Sequence, residues 1–258
     1  MSKVKITFLI YLLSIYSNAF AYSQYDGWWF NKEQAGSGVS IEIQGETMFV
    51  AIYTYDLGIP IWMTSKAKFY TQENTYKGRL LLWNNGAVSF LPIQPRPNDI
   101  GVFSIRFTSS NNAIMSYGHE QHPMNVPLTR FMPIIAPGQS DTRIKGWWYD
   151  PEYDGWGIFL EANGGTLFGA QYFYMPFLKD KKVLPSWLSF SGPFSKEAKQ
   201  FSSTSHLWFS GSALGVTPYQ SPESQLSEHN IQLKLNSDGT IDMTTGNIKL
   251  HLLKFHFN

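Results

Sequence analysis

A chain of 258 residues with a formal net charge of +1 and no cysteine has no basic field to recruit nucleic acid or anionic lipid. It also has no disulfide framework, no thiol nucleophile and no thiol for lipid attachment. Aromatic residues (16%) are as frequent as charged ones (15%), a balance that suits β-domains with ring-filled cores or stacking surfaces, held by packing alone.

Residues 1–21 read as a secretory signal peptide. Lys3 and Lys5 form the charged region, Ile6 to Tyr16 the apolar stretch, and Ala19-Phe20-Ala21 a small-x-small cleavage site. An apolar run of roughly ten residues is shorter than the ~20 a spanning helix needs. The expectation is cleavage near Ala21 and an exported mature chain, periplasmic or extracellular. Without Lys3 and Lys5 the formal charge falls from +1 to −1. No later run is long and apolar enough for a helical membrane span.

Gly27-Trp28-Trp29-Phe30-Asn31 then opens a pattern that returns as Gly146-Trp147-Trp148-Tyr149-Asp150. At the same offset Gly36, Gly38, Glu42, Gly45, Thr47, Phe49, Ala51, Tyr53 and Tyr55 fall on Gly155, Gly157, Glu161, Gly164, Thr166, Phe168, Ala170, Tyr172 and Tyr174. A repeat of this length is a whole domain. The expected division is a first repeat over 22–132, a linker over 133–143 containing Pro137-Gly138, and a second repeat over 144–258.

Within the first copy Val39, Ile41 and Ile43 alternate with Ser40, Glu42 and Gln44, the period-two signature of a strand. Gly45-Glu46 turns the chain. The next run sets Phe49, Ala51, Tyr53 and Tyr55 on one face and Met48, Val50, Ile52 and Thr54 on the other. The first set recurs unchanged, whereas the second becomes Leu167, Gly169, Gln171 and Phe173. The unchanged face is therefore expected to point into the domain, because an interior restricts side-chain volume more than a surface does.

After a turn at Asp56-Leu57-Gly58, Pro60-Ile61-Trp62 opens a strand matching Pro185-Ser186-Trp187 past an insertion around Phe177 to Leu184. Phe69 then falls on Phe194 and Trp83 on Trp208. Stretches with Pro92, Pro95 and Pro97, or Pro218 and Pro222, are expected as the longest loops, since proline is excluded from central strands. Ile105-Arg106-Phe107 matches Leu233-Lys234-Leu235, and each copy closes on a further alternating run. About eight short strands per copy, joined by turns, point to an all-β protein of two tandem antiparallel meander barrels. The alternative is one larger sheet or sandwich shared by both copies.

The spacing Gly-x-Trp-x-Asn, a Gly-Ser pair and an aromatic-rich second strand, over Gly27 to Tyr55, resembles the opening of avidin-type barrels. That likeness implies a small ligand held by polar groups and tryptophans, and carries over onto Asn31, Tyr53 and the nearby tryptophans. The fuller pattern of Gly-x-Trp-Trp, Gly-x-Gly, Tyr-x-Tyr and Pro-x-Trp is similar to a tandem repeat of uncharacterised secreted bacterial proteins.

The chemistry-bearing residues are sparse. His119-Glu120-Gln121-His122 lacks the spacing of a helical zinc site and has no counterpart in copy two, so no metal and no cofactor is expected. Glu42 and Glu161 recur but belong to different copies, and each reads as a solvated or locally paired carboxylate. No nucleophile elbow or phosphate-binding glycine loop occurs, and the protein reads as a non-enzyme.

Trp28 and Trp29 are adjacent on a strand and point to opposite faces, so one of them meets solvent or a neighbouring domain. The recurring aromatics and the polar residue after each Trp pair give a candidate ligand-binding set of Trp29, Asn31, Tyr53, Tyr55, Trp62, Trp83, Trp148, Asp150, Tyr172, Tyr174, Trp187 and Trp208. One expectation is a small amphipathic molecule or a glycan at a barrel mouth under the proline-rich loops. Another is a structural or protein-interaction module of the cell envelope, in which the outward tryptophans pack the barrels together or onto a partner protein. A third, an outer-membrane barrel, would need longer strands with an apolar outer face.

Overall fold

The structure, a computed structural model, describes residues 23–84, 95–119, 121–132, 140–177 and 182–257. The expected signal peptide, Pro92, Glu120 and residues 133–139 of the expected linker lie outside the described residues. The first copy contains β1 (Gly27–Phe30), β2 (Gly38–Gln44), β3 (Thr47–Asp56), β4 (Ile59–Tyr70), β5 (Thr75–Asn84), β6 (Arg96–Phe107), β7 (Asn112–His119) and β8 (His122–Arg130). The second contains β9 (Gly146–Tyr149), β10 (Gly157–Asn163), β11 (Thr166–Phe177), β12 (Lys182–Pro193), β13 (Gln200–Phe209), β14 (Glu223–Leu235), β15 (Ile241–Thr245) and β16 (Ile248–Lys254).

Each strand pairs antiparallel with the next, and each copy closes on itself to form an eight-stranded barrel. β1 meets β8 through Trp29 opposite Arg130, and β9 meets β16 through Trp148 opposite Lys254. Closure within each copy leaves neither barrel with a free sheet edge. This is the tandem-barrel architecture rather than one shared sheet.

Pro97 departs from its expected place in a loop. It lies in β6 opposite Trp83, one residue from the strand's start and exposed, where a missing ladder donor costs least. Pro218 and Pro222 lie in the β13–β14 connection, as their composition suggests.

The interior of the first barrel is filled. Trp29, Val39, Ile41, Met48, Val50 and Ile52 form one cluster with inward residues of β4 to β8, all nearly inaccessible to solvent. A barrel of eight strands is narrow enough for side chains to fill it.

The strand face expected to point inward points the other way. Met48, Val50 and Ile52, the residues that vary between copies, line the first barrel. Ala51, Tyr53 and Tyr55, the residues that recur, belong with Trp28 and Trp62 to a cluster extending into the second barrel. A contact between two copies of one surface constrains both copies at equivalent positions, so recurrence marks the contact between barrels rather than the core.

Candidate functional site

The two barrels meet in an approximately two-fold arrangement built from the recurring residues. On β1 the inward member of the tryptophan pair, Trp29, donates its indole N–H to the Tyr25 carbonyl at 3.0 Å, and Trp148 donates to Ile144 in the same way at 2.8 Å. The other member crosses to the opposite barrel. Trp28 meets Phe159 and Phe168 edge-on, both at 5.1 Å, and Trp147 meets Phe49 at 5.2 Å.

Trp62 donates its indole N–H to the Phe173 carbonyl at 3.3 Å, and Trp187 donates to the Thr54 carbonyl at 3.3 Å. Tyr53 lies against Trp187 and Tyr172 against Trp62. Tyr55 and Tyr174 follow the same rule, contacting Trp187 and Trp62. Six of the candidate ligand-binding aromatics are thus brought together, against one another across the barrels.

Trp29 and Trp148 are inside their barrels. Trp83 and Trp208, partly buried, pack against the edge of the contact cluster, Trp208 stacking on Trp187 at 6.0 Å, and donate to Thr64 Oγ1 and Ser189 Oγ. Asn31 and Asp150 order the loop after β1 or β9, each accepting from the N–H two residues on, Glu33 or Glu152. Asp150 accepts from the His251 N–H as well.

The two recurring glutamates carry the polar part of the contact. Both are buried, contrary to the expectation of a solvated or locally paired carboxylate. Glu161 accepts from the Trp28 N–H and Glu42 from the Trp147 N–H, each at 2.8 Å and each from the opposite barrel. The preceding glycines make this approach possible. A Cβ on Gly27 would sit 2.5 Å from a Glu161 carboxylate oxygen, and one on Gly146 2.5 Å from Glu42, with φ of +131° and +109° at the two positions. The Gly-Trp-Trp phrase therefore encodes a backbone donor that a carboxylate from the other repeat can reach.

Cations complete the arrangement. Arg130 Nη1 stands 3.7 Å from Glu161, and Lys254 Nζ 3.4 Å from Glu42. Arg130 also donates to the Asp26 carbonyl at 2.7 Å, and Lys254 donates to the equivalent carbonyl of Lys145. At the matched positions 26 and 145 the copies differ in sign. Lys145 Nζ donates to the Asp26 carbonyl at 3.2 Å, both residues being buried.

Burial pushes the Asp26 carboxyl up to about 7, with Lys145 opposing and Glu42 reinforcing the shift. Burial also raises Glu161 against the pull of Lys145 and Arg130, and lowers Lys254 against the pull of Glu42. Three acids and three bases thus share one enclosed space. Glu42, Glu161 and Lys145 bond backbone groups of the opposite barrel, while Arg130, Lys254 and Asp26 bond backbone groups of their own, so the cluster is arranged to hold.

A second tie comes from a loop of the second copy. The β13–β14 connection reaches over the end of the first barrel and inserts Leu214, fully buried among that barrel's core residues. Leu214 N–H donates to Thr54 Oγ1 at 2.8 Å, and Tyr117 OH donates to the Leu214 carbonyl. Gln34 holds the next two residues with the two ends of its amide, accepting from Gly215 N–H at 2.6 Å and donating to the Val216 carbonyl at 2.9 Å.

Sequence reasoning placed a long loop here but missed the insertion of Leu214, because its Leu-Gly has no periodic signal. It also missed Asp26, Lys145, Arg130 and Lys254, which differ between copies. Among the described residues no group of three or more His, Asp or Glu could hold a metal ion. Comparison with known protein families, with characterised proteins and with solved structures found no match.

Proposed function

We propose that the protein is an exported, non-enzymatic structural module of the cell envelope, in which duplication has fixed two barrels into one rigid unit that presents its outer surface to a partner protein. The observation that carries this reading is the reciprocal tie between Glu161 and Trp28 N–H and between Glu42 and Trp147 N–H. Buried charge-assisted hydrogen bonds are strong and directional, and their pairing across the two-fold fixes how the barrels sit. The recurring aromatics, which would otherwise line a ligand pocket, are engaged in the same contact.

The test is a protease site introduced at Gly138 of the mature chain. After cleavage the two pieces should remain one species by size-exclusion chromatography and unfold together. Separation into two folded monomeric barrels would overturn the rigid-unit reading. Its interaction half is tested by crosslinking in the exporting cell, with a discrete adduct expected and none counting against it.

A further inference from the structure

The ends of the barrels opposite the β5–β6 and β13–β14 connections are built from matched residues but closed differently. In the first barrel Tyr25 stacks on Phe107 with centroids 4.1 Å apart, stands edge-on to Phe69 at 5.8 Å and donates its hydroxyl to Asn74 at 2.9 Å. Backbone bonds fix the equivalences. Trp148 donates to Ile144 as Trp29 does to Tyr25, and Leu235 N–H donates to the Lys199 carbonyl as Phe107 N–H does to that of Asn74. The second barrel therefore has Ile144 for Tyr25, Leu235 for Phe107 and Lys199 for Asn74, replacing two rings with two aliphatic side chains.

A depression of about 570 Å³ opens at that end, with Trp148, Leu235 and Ile241 toward the barrel interior and Arg143, Lys199 and Lys234 around its rim. Its volume falls in the range of small-molecule sites. Four ionisable side chains line it and three are cations. The fourth, Asp238, is engaged by Thr240, whose N–H and hydroxyl both donate to it. The carboxylates paired with Arg143 and Lys234, Asp141 at 2.5 Å and Asp242 at 4.0 Å, are not among the lining residues.

We propose that this end of the second barrel is a binding site for a small amphipathic anion, its apolar body over Leu235 and its carboxylate, sulfate or phosphate head among Lys199, Lys234 and Arg143. The site goes beyond the structural reading above and needs no residue of the contact between the barrels.

The experiment uses the mature full-length protein, with octanoate and its neutral isostere octanamide as probes in calorimetric titration and thermal melting. Octanoate should bind and raise the melting temperature, and octanamide should bind roughly tenfold more weakly or less, a difference of about 1.4 kcal/mol. The Lys199→Gln/Lys234→Gln variant, altered only at exposed side chains, should lose the preference for the anion. The Ile144→Tyr/Leu235→Phe variant, which restores the first barrel's filling, should lose binding of both probes. Equal binding of the two probes by the native protein, unchanged octanoate affinity in the lysine variant, or no octanoate binding at all would overturn the proposal.

Discussion

At the scale of single residues, the buried acids set the protein's response to pH and to mutation. Asp26 accepts from the N–H groups of Ile43 and Ser23, at 2.8 and 2.7 Å, and its carboxyl titrates near 7 rather than at 3.8. The folded protein therefore keeps a proton that the unfolded chain has already released. The associated stability is complete below pH about 4, is lost as pH rises to about 7, and stays level beyond. Glu161, also raised, acts with the same sign. Urea midpoints measured at pH 5, 6 and 8 should fall in that order, and Asp26→Asn should flatten the decline.

Glu161→Leu should cost about 3–5 kcal/mol in urea unfolding, because it leaves the buried Arg130 guanidinium without its counter-charge. Gly27→Ala brings a methyl group against the same carboxylate at a positive φ and should cost about 1–3 kcal/mol. An unchanged midpoint would mean that the Glu161 carboxylate turns away freely.

At the scale of elements, the β13–β14 connection belongs to the second copy by sequence and to the first barrel by packing. Leu214→Ala should cost about 2–5 kcal/mol, the range for removing a buried leucine side chain. Hydrogen exchange should locate the damage in β7 and β8, around Tyr117 and Val126, because those strands meet the loop. Loss confined to β13 and β14 would show that the loop stabilises only its own barrel.

The strands themselves were legible from the sequence. Val39, Ile41 and Ile43 alternate with polar neighbours, the turn signals fall between runs, and the duplication supplies each boundary twice. What alternation cannot reveal is which face is inside. An interior and a self-complementary contact both hold residues constant between copies, and here Ala51, Tyr53 and Tyr55 were held constant by the contact. The aromatic candidates were visible as a set for the same reason, while their role depended on how two closed barrels meet, which no local pattern carries. Leu214 was invisible because its socket is assembled from residues some ninety or more positions away, as the Tyr117 bond shows.

At the scale of the whole molecule, the two barrels share one buried aromatic contact. Trp28, Tyr53, Trp62 and Trp187 are each almost fully buried, and parting the barrels would expose them as an apolar patch of the kind folded monomers rarely show. Thermal unfolding should follow a single transition, with the calorimetric enthalpy equal to the van't Hoff value. Two resolved transitions would mean that the barrels fold independently and that the contact adds little.

The opposite signs at positions 26 and 145 have a bearing on assembly. A dimer of identical barrels would set two aspartates, or two lysines, face to face in an enclosed space, where both members of a pair cannot keep their charge. With one of each, each half should favour the other half over a duplicate of itself. Swapping the two residues within one chain should therefore be tolerated, whereas a chain carrying aspartate at both sites should come apart at its waist.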